Sequence, residues 1–401
     1  MPTLLGLEHT SLTEYHSVVT DAAPWLTAEH EEFRRALRAL VARELAPHAD
    51  AWEAAGLFPR ELYGLMGKLG YLGLRYSPEY GGAGLDFRYT LILAQELVKC
   101  GSVGTAVGLL AHMEFALSVI DARGTPAQKR EFLAPAIRGE RIAAIGISEP
   151  GAGSDVGAIR TTARREGGDW VINGSKTFIT NGTRADFVSL VARTGGPGPK
   201  GLSVILLPSD TRGFRVGKAL QKMGSRASDT AELFFDDCRV PLGNLVGEEG
   251  RGFGYVMDHF KGERLVISAF ALGVMERLWE EGTRYAAERQ VFGQPLGKFQ
   301  AWRHRLADVR TTMEATRQLV HWACDRLSRD APDASLAASM AKLFSCEQVK
   351  HVANEVFQLH GGYGFIEESP VCRLYRDVSA FTIGAGTSEI MREIIARETQ
   401  L

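Results

Sequence analysis

The chain lacks an excess of charge of either sign. Its 401 residues include 46 Lys and Arg against 48 Asp and Glu, which gives a formal net charge of −2. Proteins that bind nucleic acid or an anionic membrane surface usually carry a basic excess or a basic patch. We therefore expect neither nucleic acid nor an anionic membrane surface among its partners.

Long hydrophobic runs are also missing. The longest mainly apolar stretch extends from Leu265 to Met275 and is interrupted by Ser268. A helix needs about 20 apolar residues to span a bilayer, so we expect no membrane insertion. The N-terminus shows no basic segment followed by an apolar one, and Glu8 and Glu14 occur early. This pattern argues against a signal peptide and predicts a cytoplasmic protein.

Cysteine and histidine occur without the spacing of a metal site or a disulfide framework. The histidines His112, His259 and His360 form no H-x-x-x-H or H-E-x-x-H pattern. The cysteines are odd in number and form no C-x-x-C pair; they are Cys100, Cys238, Cys324, Cys346 and Cys372. We expect reduced thiols and no bound metal ion.

The length of the chain predicts two or three packed units, because a single core stops growing at about 250–300 residues. The apolar periodicity changes twice along the sequence. It predicts an irregular tail over 1–24, a helical domain over 25–144, a β domain over 145–248 and a second helical domain over 249–401. The predicted fold class is therefore α+β with several domains.

Local patterns support this division. Thr27 is expected to cap the first helix, whose predicted apolar face consists of Phe33, Leu37, Leu40, Val41 and Leu45. Further helices are predicted over about 61–70, 88–99, 103–122 and 126–138. Short strand-like segments follow at 170–172, 176–180, 187–191 and 203–207. Asn173-Gly174 predicts a hairpin between the first two strands, and 195–199 predicts a loop between the last two. We expect an antiparallel β domain.

Two segments of the β domain carry chemistry. Ile147 to Asp155 is a turn rich in small residues, whose clustered N–H groups suit anionic oxygens. Phe178 and Thr180 occupy alternate positions of one strand and are expected to share a face. An aromatic ring beside a hydroxyl suits a planar heterocycle. Taken alone, the first segment is more simply an ordinary surface turn, and the second is more simply an edge strand with a buried Phe.

Together the two segments resemble the flavin-binding domain of acyl-CoA dehydrogenases, whose usual forms are T-E-P-x-A-G-S-D and K-x-W-I-T-N. The resemblance implies an N-terminal helical domain, a middle antiparallel β domain and a C-terminal four-helix bundle. It also implies FAD as the cofactor, with Thr180 facing the flavin atom that receives a hydride. The FAD contacts implied within one subunit are Ile147, Ser148, Gly153, Ser154, Phe178, Ile179, Thr180, Thr387 and Glu389.

Four further segments extend the resemblance in family order. They are Lys222 to Thr230, Arg289 to Gly293 with Gln300, Gln358 to Gly364, and Gly386 to Ile390. In this family the second and third segments contact the FAD of a neighbouring subunit. The implied cross-subunit contacts are Arg289, Phe292, Gln300, Gln358, Gly361 and Gly362. The resemblance therefore implies a homotetramer built as a dimer of dimers.

The position of the catalytic base departs from most of the family. There the residues before G-T-S are Y-E, and that Glu removes the α-proton. Here they are Gly384 and Ala385, which cannot accept a proton. Either the protein is inactive or its base lies elsewhere.

Glu263 is the candidate base. Its helical neighbours Phe260, Val266, Ile267 and Phe270 are apolar, so its carboxyl group is expected to be desolvated, with a raised pKa. The alternative from the pattern alone is a solvated Glu beside an arginine. The isovaleryl-CoA and long-chain acyl-CoA dehydrogenases, however, carry their base at this position within E-R-L. The isovaleryl enzyme also shares the sequence I-G-A-G-T-S-E, and we therefore predict Glu263 as the base.

The substrate implied by the resemblance is an acyl thioester, which would be desaturated to the trans-2-enoyl form. Its predicted contacts are Val107, Ala111, Ser154, Phe260, Arg264, Gly384, Ala385 and Gly386. Because Gly384 stands where many straight-chain enzymes have Tyr, we expect lateral room for branched, medium or long acyl chains. Because Val107 and Ala111 are apolar and Ala111 is small, the floor of the acyl cavity should be neither charged nor shallow.

Lys261 stands where the family often has an Asp that binds pantetheine. This departure weakens the case for CoA, and a carrier-protein thioester shares the pantetheine arm. CoA is ranked first and a carrier-protein thioester second. The expected electron acceptor is an electron-transfer flavoprotein. An oxidase that uses O2 and a non-catalytic acyl-binding protein remain the alternatives.

Overall fold

The structure, a computed structural model, describes residues 25–400, so the predicted tail over 1–24 lies outside the described residues.

The first part of the chain is helical. Thr27 caps the first helix as predicted, because its Oγ1 accepts a hydrogen bond from the His30 N–H (3.4 Å). The helices are α1 (Ala28–Leu40), α2 (Ala49–Ala55), α3 (Glu61–Lys68), α4 (Phe87–Leu97), α5 (Val103–Leu110), α6 (Ser118–Arg123), α7 (Pro126–Gln128) and α8 (Ala134–Ile137).

The stretch Val103–Arg123 corrects the expectation that the longest mainly apolar stretch is the one from Leu265 to Met275. By length and composition this segment is apolar enough to cross a membrane, although 89% of its apolar window is buried within the fold. Such burial is typical of a core helix. A π-helical turn, Ala111–Ala116, joins α5 to α6 and changes which side chains share a face. Turns of this kind often occur at functional sites.

The middle part of the chain forms one eight-stranded sheet. The strands are β1 (Ala143–Gly146), β2 (Thr162–Glu166), β3 (Asp169–Thr180), β4 (Phe187–Arg193), β5 (Leu202–Pro208), β6 (Phe214–Ala219), β7 (Thr230–Pro241) and β8 (Leu245–Val246). The strand order is β6-β7-β3-β2-β4-β5-β8, with β1 paired to β4. Most pairs are antiparallel as predicted, but β4 pairs in parallel with both β1 and β2.

The predicted hairpin at Asn173-Gly174 was wrong, because both residues lie inside β3. The pairing of β3 with β7 shifts there by a bulge. The Asn173 amide fixes this bulge by hydrogen bonding to Asp237, through its Nδ2 to Oδ1 (2.8 Å) and through its Oδ1 to the backbone N–H (3.0 Å). A Cβ at position 174 would approach Thr161 Oγ1 to 2.6 Å, so glycine serves a close strand approach here rather than a turn.

The last part of the chain is again helical. Three long helices pack side by side, and the final helix lies against the third of them. The helices are α9 (Gly252–Glu288), α10 (Gln300–Ser328), α11 (Ala334–His360), α12 (Gly362–Phe365), α13 (Pro370–Asp377) and α14 (Ser388–Glu398). A short hairpin of β9 (Gln290–Val291) and β10 (Gln294–Pro295) follows α9. Since α4 also packs on α9, the two helical parts share one core.

The segment from Lys222 to Thr230 fastens the sheet to both helical parts. Glu53 of α2 accepts hydrogen bonds from the N–H groups of Arg226 and Ala227 (both 3.2 Å). Asp377 of α13 accepts one from the N–H of Ser225 (2.6 Å). This motif therefore holds the three parts in register around the site described next.

Candidate active site

Glu263 lies near the middle of α9 and is buried, with 6% of its surface exposed. Burial raises the pKa of its carboxyl group to about 8; Arg264 opposes this shift and Glu114 adds to it. Within residues 25–400 the carboxyl group forms neither a hydrogen bond nor an ion pair. A buried carboxyl group without a partner is costly to keep ionised, and such groups concentrate at functional sites.

The surroundings of Glu263 agree with the predicted apolar face. Val266, Ile267 and Phe270 are buried and Phe260 is half-buried. The alternative of a solvated carboxylate is therefore wrong. Arg264 is buried as well, and its Nη1 donates only a long hydrogen bond to Ser339 Oγ (3.4 Å).

A cavity of about 290 Å³ adjoins Glu263. Its walls include Arg75, Glu114, Ser118 and His259. Arg75 Nη2 lies 2.9 Å from Glu114 Oε2, so this cavity carries a buried ion pair. Val107 and Ala111, the apolar residues predicted to form the floor of the acyl cavity, are not among its lining residues. The charged wall therefore does not test the predicted uncharged floor, which stays a prediction.

Sequence reasoning did not find these wall residues. Arg75 and Glu114 are far apart in the chain, and no spacing rule connects them to Glu263. The one local feature that marks Ser118 is the π-helical turn Ala111–Ala116 before it, and this turn is visible only in the structure. Pairs that form between separate elements leave no periodic pattern in a single sequence.

The two predicted flavin-binding segments lie side by side. The Thr177 N–H donates to the Ser148 carbonyl (2.9 Å), which joins the loop after β1 to β3. Lys176 Nζ donates to the Ile147 carbonyl (2.9 Å) and to Glu149 Oε1 (2.8 Å). Burial lowers the pKa of Lys176 to about 8, even though Glu149 opposes the shift. This buried pair fixes the loop that ends at Ser154, and its role was missed from the sequence.

The exposed surface of these segments fits a flavin. Phe178 is 70% exposed and adopts a left-handed backbone with φ of 59°, which turns its ring away from the core. Thr180 is half-buried beside it, whereas Ile179 points into the core. The pairing of β3 is irregular here, so a bulge rather than a regular strand presents the two residues. A Cβ at Gly153 would meet nothing within 4 Å, which leaves space for a ligand at the loop backbone.

A second cavity, of about 560 Å³, lies where α9 and α11 end. It brings together Arg289, Gly361 and Gly362, three of the residues predicted to contact a neighbour's FAD. The other three, Phe292, Gln300 and Gln358, are exposed, but none of them lines this cavity. Phe292 is 93% exposed, an unusual position for a large apolar side chain.

The loop before α14 has a strained backbone. Ala385 has a φ of 52° and Gly386 a φ of 95°. Thr387 caps α14, since its Oγ1 accepts a hydrogen bond from the Ile390 N–H (3.3 Å). Buried Lys342 donates from Nζ to the Gly386 carbonyl (2.5 Å) and so clamps the loop. Gly384 and Glu389 of this segment are exposed.

The chain combines two helical parts with a β part between them, a loop whose surface fits a flavin, and a buried carboxyl group. Together these features define a flavin-dependent dehydrogenase. Sequence profiles identify the family within this class. The profiles of the N-terminal, middle and C-terminal domains of acyl-CoA dehydrogenases match residues 27–140, 144–238 and 250–400. The chain belongs to the acyl-CoA dehydrogenase family, and it is an FAD-dependent oxidoreductase.

Individual relatives agree with this assignment. The chain is 39% identical to the long-chain specific acyl-CoA dehydrogenase of Rattus norvegicus, with 93% of this chain and 86% of that protein covered. It is 38% identical to the isovaleryl-CoA dehydrogenase of Oryza sativa subsp. japonica, with 92% and 90% covered. The crystal structure of an acyl-CoA dehydrogenase from Geobacillus kaustophilus matches with a TM-score of 0.90 at 39% identity, with 94% and 100% covered.

One solved structure bears on the thioester carrier. The prolyl acyl carrier protein oxidase AnaB matches this chain with a TM-score of 0.87 at 31% identity, with 94% of this chain and 100% of that one covered. The same fold therefore also occurs in a protein whose name describes a carrier-protein substrate.

Proposed function

We propose that this protein desaturates an acyl thioester between its α and β carbons, with Glu263 as the base that takes the α-proton. The observation that carries the proposal is the buried carboxyl group of Glu263, which has no partner among the described residues of this acyl-CoA dehydrogenase fold. A base with a pKa near the working pH combines a useful ionised fraction with a strong drive to accept a proton.

FAD, when bound, supplies the acceptor for the hydride that leaves the β carbon. Glu263 takes the α-hydrogen as a proton, and the two departures leave a double bond. Negative charge develops on the thioester oxygen as the proton leaves. The backbone N–H of Ala385 is the proposed donor to that oxygen, and a pre-aimed donor of this kind is worth about 3–4 kcal/mol.

The clamp between Lys342 and the Gly386 carbonyl supports this role of the loop. An N–H can stabilise developing charge only when its direction is fixed before the reaction. Lys342 is fully buried, and it holds the carbonyl next to the left-handed residue Ala385. The loop is therefore preorganised without a side-chain carboxylate in it.

For the thioester carrier, we rank CoA ahead of a carrier protein. Identity to acyl-CoA dehydrogenases over most of the chain favours CoA. Lys261, in place of the pantetheine-binding Asp, together with the similarity to AnaB, keeps the carrier protein as the second candidate. Gly384, where many relatives have Tyr, favours branched or longer acyl chains.

The partners follow from the same site. The exposed Phe292 and the cavity at Gly361 and Gly362 support a homotetramer in which a neighbouring subunit completes the FAD site. An electron-transfer flavoprotein is the proposed acceptor. An O2-using oxidase would be recognised by equal turnover in air without that flavoprotein.

The decisive experiment is anaerobic bleaching of the bound flavin by a panel of acyl thioesters. The panel contains isovaleryl, butyryl and octanoyl groups on CoA and on phosphopantetheinylated carrier protein. Bleaching by at least one member, together with product of enoyl mass, is the expected result. An absence of bleaching with every member, despite full FAD occupancy, would favour the non-catalytic alternative.

A further inference from the structure

The cavity beside Glu263 has unused hydrogen-bonding groups in its walls. Ser118 is 4% exposed, and its Oγ has no hydrogen-bond partner in the described part of the chain. The Nε of Arg75 is likewise buried without a partner, although its Nη2 pairs with Glu114. Buried polar atoms are normally satisfied, so each of these atoms calls for a partner that enters the cavity.

The cavity wall near Ser118 is polar, but its positive and negative charges balance. Arg75 and Glu114 offset each other, and Thr90 Oγ1 donates to Glu114 Oε1 (3.1 Å). Burial, with Arg75 nearby, lowers the pKa of His259 to about 4, so its ring is neutral at pH 7. A neutral ring presents one donor and one acceptor.

Apolar groups complete the same cavity. Phe87 and Leu327 lie in its lining, and Arg75 lies over the Phe87 ring at 4.9 Å. Methylene groups can pack against these side chains while a polar group reaches the other wall. A space of about 290 Å³ that begins at the proposed base can accept part of an acyl chain.

We propose that this cavity is a subsite for an acyl group that bears a neutral hydrogen-bonding substituent, of which a hydroxyl group is the simplest. A hydroxyl donates one hydrogen bond and accepts two, which matches Ser118, Arg75 and the neutral His259. A carboxylate on the substrate would face Glu114 and the ionised base. An ammonium group would face Arg75 and would pair with the base that must accept a proton.

This inference rests on the proposed dehydrogenation, because it assigns the direction of the acyl chain from Glu263. A competing role for the cavity is a water-filled route that carries the proton from Glu263 to solvent. Asp258 at the rim is exposed and would suit the end of such a route. The two roles differ in one respect, since only a subsite distinguishes acyl groups by their substituent.

Binding tests the subsite without requiring chemistry. Holoenzyme with Glu263→Gln is titrated with 6-hydroxyhexanoyl-CoA and with hexanoyl-CoA, and binding is followed calorimetrically. Both ligands carry the same thioester arm, so the ratio of their Kd values is independent of how well CoA suits the site. We expect the hydroxylated ligand to bind at least about tenfold more tightly, because the unsubstituted one leaves buried polar groups unpaired.

Ser118→Ala in the same background should reduce this ratio several-fold. The control is Ser345→Ala, a buried serine on α11 outside the cavity, which should leave the ratio unchanged. Equal binding of the two ligands, or a ratio insensitive to Ser118→Ala, would overturn the subsite and favour the water route. Wild-type flavin bleaching by hexanoyl-CoA is measured in parallel, so failure of the dehydrogenase function appears separately from failure of the subsite.

Discussion

Two glutamates on α9 show how one helix serves chemistry at one point and stability at another. Glu263 is buried and has no partner among the described residues, and its pKa rises to about 8. Glu276 is also mostly buried, with 15% of its side chain exposed. Burial alone would raise its pKa, but Lys99 and Arg317 outweigh burial and lower it to about 2.

The partners of Glu276 come from α4, from the 3-10 turn Val98–Cys100 that follows it and from α10. Lys99 Nζ lies 2.7 Å from Glu276 Oε2, and Arg317 Nη2 lies 2.9 Å from Oε1. Gln95 of α4 also donates to Oε1 (2.7 Å). Glu276 therefore ties α4 and α10 to α9. The pKa values of the two carboxyl groups differ because cations contact Glu276, and not because the two groups differ in burial. With cations beside it, a buried carboxylate forms a stabilising ion pair; without them, it is a reactive base.

The largest effect is expected for Glu263→Gln. The amide keeps the shape of the side chain and cannot accept a proton, so the rate of flavin reduction should fall by roughly 10²–10⁴-fold. FAD content should stay at the wild-type level. Stopped-flow reduction under anaerobic conditions measures the rate, and the flavin-to-protein absorbance ratio gives occupancy. Reduction at a near wild-type rate would place the base elsewhere.

The matched change at the other site, Glu276→Gln, should affect stability instead. The change removes the carboxylate that Lys99 and Arg317 share. Lys99 keeps Glu96 (3.0 Å) and Arg317 keeps Glu314 as a second partner, so the cost should lie at the low end for a buried ion pair, about 3 kcal/mol. The thermal unfolding midpoint of the holoenzyme should drop by several degrees, while flavin reduction per bound FAD stays within about twofold. Glu288→Gln, at the exposed end of α9, is the control and should move the midpoint little. If the Glu276→Gln enzyme were as stable as wild type but reduced its flavin more slowly, the proposed difference between a structural Glu276 and a catalytic Glu263 would be wrong.

The pH dependence should separate the two carboxyl groups in opposite directions. Activity requires ionised Glu263, so kcat/KM should increase about tenfold per pH unit below pH 8 and level off above it. Its folded pKa lies above the ordinary value of 4.5, so its contribution to stability should decline as pH rises from about 4.5 to about 8. For Glu276 the folded pKa lies below 4.5, so its contribution should be lost as pH falls from about 4.5 to about 2.

Rate profiles of wild-type enzyme and unfolding profiles of both Gln variants test these directions. Glu263→Gln should flatten the stability change between pH 5 and 8, and Glu276→Gln should flatten the change below pH 4.5. A wild-type kcat/KM that is constant from pH 6 to 9 would contradict a base whose pKa is about 8.

The sequence predicted the burial of Glu263 because its neighbours at helical spacing, such as Val266 and Phe270, are apolar. It could not have assigned Glu276 to structure, since Lys99 and Arg317 belong to other elements and periodicity reports only a residue's own helix. For the same reason, the sequence could not predict that Arg75 and Glu114 form an ion pair beside Glu263. The hairpin error at Asn173-Gly174 has a related origin, because the dipeptide signals a local turn while the partner Asp237 is 64 positions away.

The helical, β and helical order was visible because each pattern persists over many residues. The π-helical turn over Ala111–Ala116 was not visible, since a single wide turn alters periodicity by one residue. That one residue matters at the site, because Glu114 lies inside the turn and Ser118 begins the next helix, and both line the cavity beside Glu263.

The smallest effect is expected when the unpartnered carboxyl group is moved from α9 to the loop before α14. In the Glu263→Gln background, Ala385→Glu should restore flavin reduction by about tenfold over Glu263→Gln alone, which is less than the roughly 10²–10⁴-fold of a well-placed general base. Ala385 already holds a left-handed backbone, so the longer side chain adds little new backbone strain. The gain stays small because Ala385 is only half-buried, so a carboxyl group there is desolvated less than that of Glu263. Ala385→Gln in the same background is the control of equal size, and equal rates for the two double variants would show that the loop cannot present a base to the substrate.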